Sequence, residues 1–437
     1  MHRNEVVMKT FALSYEEAEQ ISHRMGTPTY LYDEGILKGA AEQFLEMPNA
    51  YGLTVRYAMK ASPNASILRL FESMGLSFDA STGHEVERLL HAGVGTTHIS
   101  ISTQELPDNF ADFVDQGVEL NACSLNQLER FGQRLPGRSV GIRVNPGLGS
   151  GGTNRTNVGG PGSSFGIWHE FLPDVLAMAE KYDLTITRVH SHIGSGSDPA
   201  VWERAASLTL DLVRQIPTVD TVNLGGGFKV ARIESEKTTD LQLIGGTVKA
   251  LFEAFAKDDG RELKLEIEPG TMLVARSCVI LSKIQDIVTT GSEGYTFYKL
   301  NTGMTEILRP SMYGAQHTFD ILADRELDEE QEVIVVGHCC ESGDILTPAP
   351  GDPEGLAPRT LPKAEIGDFC IIRDTGAYCS AMSAKNYNSF PEAPELLRAE
   401  NGSWQIIRRR QELIQFLENE VNEHMTPEIE DLRPSFS

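Results

Sequence analysis

The sequence predicts an α/β protein in which an N-terminal TIM (β/α)8 barrel is followed by a C-terminal, mostly antiparallel β domain. Between about residues 54 and 268, eight short β-rich runs alternate with amphipathic helical patterns, and such alternation implies parallel strands. Eight units in about 215 residues have the size of a barrel. After about residue 290, β-rich runs follow one another without long helices between them, as in antiparallel domains. An open doubly wound sheet is the competing architecture for the first part.

The predicted elements follow one another in chain order. The candidate barrel strands are apolar, β-rich runs at 54–60, 77–81, 98–102, 118–123, 140–145, 186–193, 221–226 and 263–268. Segments between them, such as ASILRLFESM and EFLPDVLAMAEKY, place apolar residues three and four positions apart, which is the helical period. We therefore assign residues 36–290 to the barrel and residues 1–35 to a segment that joins the β domain. Residues 291–437 form that β domain, with a terminal helix within 405–425.

Length and composition limit the class of protein. A chain of 437 residues exceeds what one hydrophobic core usually supports, which predicts two domains. The formal charge is −24, and so acidic a surface argues against nucleic acid or an anionic membrane as a partner. It does not forbid an anionic small substrate, because local Arg and Lys residues can set the sign of one pocket. The six cysteines include no C-x-x-C pair, and neither a signal peptide nor a membrane-spanning run is visible, so we expect a cytoplasmic protein.

One segment is unusually rich in glycine. Residues 147–166 hold eight glycines in 20 positions. Composition alone favours a flexible surface connection. The position after the fifth predicted strand, on the catalytic face of a barrel, favours a lid over an active site.

In a TIM barrel the reactive groups lie at the carboxyl ends of the strands, and here several predicted strands end in polar residues. Lys60 ends the first strand. A lone lysine there could extend to solvent, but a barrel interior would lower the pKa of its ammonium and give an amine that attacks carbonyl groups. Asp79 and Asn145 end the second and fifth strands.

The seventh and eighth strands end in a glycine turn and a carboxylate. The glycines at 225–227 form either a tight turn or a phosphate-binding turn, to which Gly270 could add an N–H and Ser195 a hydroxyl. Glu268 ends the eighth strand, which also carries Glu266, and we expect one of the two to point inward. A buried carboxylate needs a partner, which would be an internal salt bridge or the protonated pyridine nitrogen of a cofactor.

His192 follows the sixth strand and has three readings. It could be a satisfied core histidine, or its ring could stack on a flat cofactor. The H-x-H spacing with His190 suggests a metal site, but no third ligand follows at a supporting spacing. A lysine, a glycine turn, a carboxylate and a histidine at one face of a barrel together match the needs of pyridoxal phosphate.

Several motifs occur in one order along nearly the whole chain. They are YAMKA around Lys60, HIGSG around His192, GGGF at 225–228, EPG at 268–270, RPSMYGA at 309–315, CESGD at 340–344 and DTGAY…NYN at 374–388. Together they resemble the motifs of diaminopimelate decarboxylases. The ornithine and arginine decarboxylases of the same fold resemble this chain less closely.

The resemblance implies a cofactor and its binding residues. Pyridoxal phosphate would be joined covalently to Lys60, with His192 against its ring and Glu268 at its pyridine nitrogen. The other residues implied to lie near the cofactor are Asp79, Ser195, Gly227, Gly270 and Tyr378.

The resemblance also implies the substrate and its contacts. The reaction would convert meso-2,6-diaminopimelate to L-lysine and CO2 in lysine biosynthesis. Arg309 and Tyr313 would hold the far carboxylate of the substrate. Cys340 and Glu341 would reach in from the second subunit of a homodimer, with Cys340 as proton donor and Glu341 at the far ammonium. The residues implied to contact substrate are therefore Arg309, Tyr313, Glu341 and Tyr378.

One position departs from this pattern. In the family EPG is usually followed by arginine, whereas this chain has Thr271. The departure leaves open a related pyridoxal-phosphate decarboxylase that acts on D-lysine, D-ornithine or a larger amino-acid conjugate. A protein that binds pyridoxal phosphate without catalysis is an alternative of another class, but it would have no need of Arg309, Tyr313, Cys340 and Glu341.

Overall fold

The computed structural model describes residues 10–148, 159–192, 194 and 196–420. The chain begins with α1 (Tyr15–Met25), β1 (Thr29–Asp33) and α2 (Glu34–Leu45). Ser14 and Glu17 cap α1 by exchanging side-chain-to-backbone hydrogen bonds of 3.2 and 3.1 Å, a capping box. β1 pairs with residues 278–281 and 395–398 of later strands. The first strand of the chain, β1, therefore lies in the second sheet of the protein and not in the barrel.

Parallel strands form a closed barrel, as predicted. The strands are β2 (Leu53–Ala58), β3 (Ser77–Ala80), β4 (Ile99–Ser102), β5 (Glu119–Ala122), β6 (Ser139–Asn145), the short β7 (Ile167–Trp168), β8 (Thr185–Ser191), β9 (Thr221–Asn223) and β10 (Lys264–Ile267). They pair in the order β5–β4–β3–β2–β10–β9–β8–β6, with β7 added beside β6, and pairing of β5 with β6 closes the ring. Each of the eight predicted runs overlaps one barrel strand.

Helices lie between these strands and cover the outside of the barrel. They are α3 (Ala65–Ser73), α4 (Gly83–Ala92), α5 (Phe110–Asp115), α6 (Leu125–Arg134), α7 (Leu172–Lys181), α8 (Pro199–Val213), α9 (Leu241–Asp259) and α10 (Thr271–Val274). Asn64, Thr82 and Ser124 each accept a backbone N–H at the start of a helix, which fixes where α3, α4 and α6 begin. In the described part of the chain, none of the helices combines the length and apolar character needed to cross a bilayer.

The second sheet is open and mostly antiparallel, which also confirms the prediction. After the barrel the chain forms β11 (Cys278–Thr289), β12 (Thr296–Leu300), α11 (Arg309–Tyr313), β13 (Phe319–Leu322), β14 (Glu330–Val336), β15 (Pro348–Ala349), β16 (Asp352–Leu356), β17 (Arg359–Pro362), β18 (Phe369–Ile372), β19 (Glu395–Arg398), β20 (Trp404–Arg408) and α12 (Leu413–Leu417). The path of the sheet is β17–β14–β12–β11–β1–β19–β20, and β18 joins β11 to β13. β15 and β16 form a separate hairpin.

Two segments differ from the sequence-based expectation. β11 lies wholly in the second sheet, where its first half pairs with β1 and β18 and its second half with β12, so this sheet takes up residues before position 290. Residues 404–408, expected to begin the terminal helix, form β20 instead because β19 offers them a strand edge. Within the described residues, only 413–417 of the expected region are helical.

Candidate active site

A cavity of about 710 Å³ opens at the carboxyl ends of the barrel strands. The barrel supplies Lys60, His192, Gly227, Glu268 and Gly270 to its lining. Segments that follow the barrel add Arg309, Tyr313 and Tyr378. The structure thus brings together eight residues that the sequence had singled out, from positions as far apart in the chain as 60 and 378.

Lys60 lies in a single 3-10 turn, residues 59–61, directly after β2, and its side chain is solvent-accessible. The expected lowering of its pKa is wrong. Burial lowers the pKa of the Lys60 ammonium, but interactions with Tyr378 and then Asp79 raise it, and the net shift is upward. The free amine is therefore held as a cation.

Glu268 is buried and well supplied with partners. Asn223 donates to one carboxylate oxygen at 2.7 Å, and His190 Nε2 lies 3.2 Å from the other. Burial raises the pKa of Glu268, but its interactions with His190, which include a hydrogen bond, and then with His192 hold that pKa well below its usual range. The carboxylate therefore stays ionised and suits a cationic group placed against it.

Glu266, in β10, and Glu268, just after it, both point into the barrel, although only one of them was expected to. Residues two apart in a strand face the same side, and Glu266 and Glu268 are 3% and 4% exposed. Glu266 lies deeper, where Arg56 and Arg188 bind it at 2.7 and 2.9 Å. This ion-paired layer forms the floor beneath Glu268 and leaves Glu268 as the carboxylate of the cavity.

The glycine turn after β9 has no room for side chains. Gly227 has φ +113°, and a Cβ there would lie 2.5 Å from the carbonyl oxygen of Gly194. A Cβ on Gly226 would lie 2.6 Å from the carbonyl oxygen of Glu268. Gly270 packs against the hydroxyl of Tyr378, which a Cβ would approach to 3.2 Å. Bare backbone therefore lines this end of the cavity, as a phosphate-binding turn requires.

His192 and Asp79 carry unusual protonation states. The Nδ1 of His192 accepts the N–H of Gly194 at 2.9 Å, and burial, then the charge of Arg143, lower the pKa of His192 well below its usual value. His192 is therefore a neutral ring with its proton on Nε2. Burial and the charge of Glu268 raise the pKa of Asp79 well above its usual value, and its Oδ1 has no hydrogen-bond partner among the described residues.

Arg309 begins α11 and Tyr313 ends it. The Nη1 of Arg309 donates to Nε2 of His317 at 2.9 Å, while Nδ1 of His317 donates to the carbonyl of Arg373 at 2.8 Å. Burial and the charges of Arg232 and Arg309 lower the pKa of His317 well below its usual value, so this ring is neutral. In the described part of the chain, no side-chain carboxylate forms an ion pair with Arg309.

Two predicted site residues, Cys340 and Glu341, lie outside the lining of this cavity. Cys340 is exposed, its N–H donates to Asn388 at 2.8 Å, and it does not line the cavity. Glu341 lies beside a second, shallower hollow and accepts a hydrogen bond from Tyr387 at 3.3 Å. Ser195 lies outside the described residues, as do residues 149–158 of the glycine-rich segment. Asn145 holds the ends of that segment through Gly147 and Gly160 instead of lining the cavity.

The sequence did not single out two arginines that act at or near the site. Arg143 acts on the protonation of His192, and Arg232 lines the cavity wall. Each had a signal: Arg143 is the only charged residue of the run VGIRVN, and Arg232 is the first arginine after the glycine turn. His317 gave no comparable signal, because only the fold brings it to Arg309.

The residues present fit pyridoxal phosphate. An accessible amine, a turn of bare backbone N–H groups, an ionised carboxylate and a neutral flat ring all meet at one cavity. The buried Asp79 oxygen without a partner is a further polar group with unused capacity. The cavity volume of about 710 Å³ lies within the range of small-molecule sites.

Comparisons with known proteins agree with this reading. Residues 37–275 match the family described as "Pyridoxal-dependent decarboxylase, pyridoxal binding domain". The chain is 35% identical to a diaminopimelate decarboxylase of Escherichia coli, covering 94% of this chain and 97% of that protein. It is 33% identical to one from Streptomyces coelicolor, covering 91% and 90%. A crystal structure of a diaminopimelate decarboxylase superposes with a TM-score of 0.86 at 33% identity, covering 94% of this chain and 97% of the other.

A parallel barrel with a lysine, a glycine turn and a carboxylate at one end, joined to an antiparallel sheet, defines the barrel-type pyridoxal-phosphate-dependent decarboxylases, and the family match shows this chain to be one. Its cofactor is pyridoxal phosphate and its reaction class is that of the carboxy-lyases. The similarity over nearly the full length goes further: the chain belongs to the diaminopimelate decarboxylase family.

Proposed function

We propose that this enzyme removes the D-end carboxylate of meso-2,6-diaminopimelate and releases L-lysine and CO2, a step of lysine biosynthesis. The observation that carries the proposal is the combination, in one cavity, of the Lys60 amine with the Arg309 guanidinium, which has no carboxylate partner among the described residues. A substrate with a reacting amino acid at one end and a carboxylate at the other satisfies both. The names of the similar proteins support the same substrate.

The barrel residues would hold the cofactor. Lys60 would be its covalent attachment point, the turn around Gly227 would bind the phosphate through backbone N–H groups, and His192 would lie against the ring. When bound, pyridoxal phosphate supplies an electron sink for the electron pair left behind when CO2 departs. Glu268, held ionised by its neighbours, would keep the pyridine nitrogen protonated and so strengthen that sink.

The residues after the barrel would hold the substrate. Arg309 would bind the distal carboxylate, because its planar fork matches both oxygens, and Tyr313 would add a hydroxyl. His317 accepts from one Nη of Arg309 and fixes the direction of the guanidinium. Tyr378, whose backbone N–H donates to Ala61 at 2.8 Å, would contact cofactor and substrate from beside Lys60.

The proton donor would come from a second copy of the chain. Cys340 and Glu341 are exposed and do not line the cavity of their own chain. We propose a homodimer in which they complete the partner's site, Cys340 as donor to the carbon that lost CO2 and Glu341 at the distal ammonium. The cytoplasmic location expected from the sequence stays a prediction.

The function is tested by a decarboxylation assay with meso-diaminopimelate, D-lysine and D-ornithine in parallel, with and without added pyridoxal phosphate. We expect CO2 and L-lysine from meso-diaminopimelate, at the highest kcat/KM of the three. Borohydride treatment of the same preparation should attach a pyridoxyl group to Lys60 and abolish activity. A higher kcat/KM for either single-carboxylate substrate would replace this substrate assignment, and a trapped cofactor without CO2 from any of them would favour a non-catalytic binding protein.

A further inference from the structure

The cavity wall between Lys229 and Asp240 carries Arg232 beside two lysines, Lys229 and Lys237. This segment joins the glycine turn to α9 and is ordered by its own hydrogen bonds, among them Thr239 N–H to the carbonyl of Lys229 at 3.0 Å and Ala231 N–H to the Thr238 hydroxyl at 3.0 Å. Arg276 ties the segment down by donating to the carbonyl of Ala231 at 3.2 Å and to Thr238 at 3.3 Å. The segment therefore holds the backbone of Arg232 in place.

The Arg232 guanidinium is poorly satisfied. It lines the cavity, its Nε makes one long contact of 3.5 Å to the carbonyl of Asp374, and its buried Nη2 has no partner within the described residues. A guanidinium offers five N–H donors. Burial, then the charge of Arg309, lower the pKa of Arg232 to about 10, so the group remains a cation at neutral pH with little compensation.

Arg232 and Arg309 face no carboxylate that neutralises them. Of the two acidic residues near Arg232, Asp374 contacts it through a backbone carbonyl, and Glu236 accepts the backbone N–H of Arg232 at 2.8 Å. Neither carboxylate forms an ion pair with the Arg232 guanidinium in the described structure. Two like charges at one cavity destabilise each other unless an anion joins them, so the pair is suited to an oxyanion ligand.

We propose that Arg232 acts with Arg309 to bind the distal carboxylate of the substrate, a role that rests on the function proposed above. Thr271, where the family usually has arginine, lines the cavity but carries no charge. Arg232, in the cavity wall after β9, supplies a positive charge instead. The other oxyanion available is the phosphate of the cofactor. The carboxylate is favoured because Arg309 stands at the start of α11, which Tyr313 ends, whereas the bare backbone at Gly226 and Gly227 would serve the phosphate.

The test compares Arg232→Gln and Arg232→Lys holoenzymes with wild type on two substrates. D-lysine has the reacting end of meso-diaminopimelate but lacks the distal carboxylate. One lost charge-assisted hydrogen bond is worth about 1.5–3 kcal/mol, so Arg232→Gln should raise KM for meso-diaminopimelate about 10- to 100-fold. Arg232→Lys should recover part of this loss. KM for D-lysine, kcat for both substrates and the affinity for pyridoxal phosphate should stay within about twofold of wild type, since none of them uses the bond.

Equilibrium binding separates this inference from the proposed function. Calorimetric titration of the product L-lysine, which keeps the distal carboxylate and is not decarboxylated, into wild-type enzyme, Arg232→Gln and the surface control Arg130→Gln measures binding without turnover. If wild type and control bind and Arg232→Gln binds 10-fold or more weakly, the inference stands. Equal binding by all three, or a loss confined to the affinity for pyridoxal phosphate, overturns it and leaves the function intact. If wild type neither binds L-lysine nor decarboxylates meso-diaminopimelate, the proposed function fails first and takes this role of Arg232 with it.

Discussion

Glu268 and Glu306 are both almost fully buried, yet their pKa values move in opposite directions. Glu268 has His190 at one oxygen and Asn223 at the other, and its pKa falls. Glu306 accepts from Thr302 and Thr305 at 3.0 and 2.8 Å through a single oxygen, while its Oε1 has no partner among the described residues. Burial therefore dominates and raises the pKa of Glu306 to about 7. Glu268 has partners at both carboxylate oxygens, whereas one oxygen of Glu306 has none, and this difference favours the ionised form only at Glu268.

Glu306 should make the stability of the protein depend on pH. Because its folded pKa of about 7 lies above the usual 4.5, the folded state holds a proton that the unfolded chain releases between these values. The stabilisation is complete below about pH 4.5 and is lost as the pH rises through 7. Glu306→Gln removes this dependence, so the free energy of unfolding of the variant, relative to wild type, should rise by up to about 3 kcal/mol from pH 4.5 to pH 8.

Urea denaturation at several pH values measures this difference. Glu253→Gln, on the exposed side of α9, is the control and should follow the wild-type curve. Parallel curves for wild type and Glu306→Gln would mean that Glu306 is ionised in the folded protein.

Among the elements, the turn after β9 depends most on having no side chains. Gly227→Ala places a Cβ 2.5 Å from a backbone oxygen at a positive φ, so either the turn or residue 194 must shift. We expect a loss of about 1–3 kcal/mol in stability and at least about 10-fold weaker binding of pyridoxal phosphate, because backbone N–H groups that would face the phosphate are displaced. Titration of the cofactor-free protein with pyridoxal phosphate, followed by absorbance, measures the second effect.

Gly246→Ala is a matched control for this substitution. Gly246 lies on the exposed face of α9, and nothing lies within 4 Å of an added Cβ. Alanine in a helix interior is more stable than glycine by about 0.5–1 kcal/mol, so the control should be at least as stable as wild type with unchanged cofactor affinity. Equal cofactor affinity in both variants would remove the turn from phosphate binding.

The strands were the elements most predictable from sequence. Runs such as LKLEIE and VGIRVN combine β-branched and apolar residues with turn residues at their ends, and such local signals fix barrel strands. Residues 404–408 show where local signals fail: the run WQIIRRR can be read as helix or strand, and only the edge of β19 decides it. The same distinction between local signals and tertiary contacts applies to the site. Residues at strand ends could be found from sequence, whereas Arg232 and His317 lie in segments whose position depends on the folded chain.

The protonation of Lys60 was mispredicted for a related reason. Sequence shows that a lysine ends a buried strand, and burial alone does lower its pKa. It does not show that Tyr378, from the far end of the chain, and Asp79, from the next barrel strand, act on the amine and that the net shift is upward. Charges contributed by other elements are visible only after the fold is known.

In the whole molecule, the cavity is assembled from both sheets. Lys60 and Glu268 stand on the barrel, whereas Arg309 and Tyr378 follow strands of the open sheet. Two groups implied in the reaction, Cys340 and Glu341, nevertheless remain outside the cavity of their own chain. If the site is complete only in a dimer, two inactive variants can restore each other's activity, which a site within one chain would not allow.

Mixing two inactive variants should restore activity. Lys60→Ala removes the cofactor attachment and Cys340→Ala the proposed proton donor, so each homodimer should lose most of its turnover. After subunit exchange, half of the dimers would be mixed, and in each mixed dimer one site takes Lys60 from one chain and Cys340 from the other. Activity should therefore return to about a quarter of the wild-type value.

Lys60→Ala mixed with Glu268→Gln is the control and should recover nothing, because both residues stand on the same barrel and every site keeps one defect. The absence of recovery in the first mixture, with exchange verified by mass, would place the proton donor within the chain that carries Lys60 and remove the shared site.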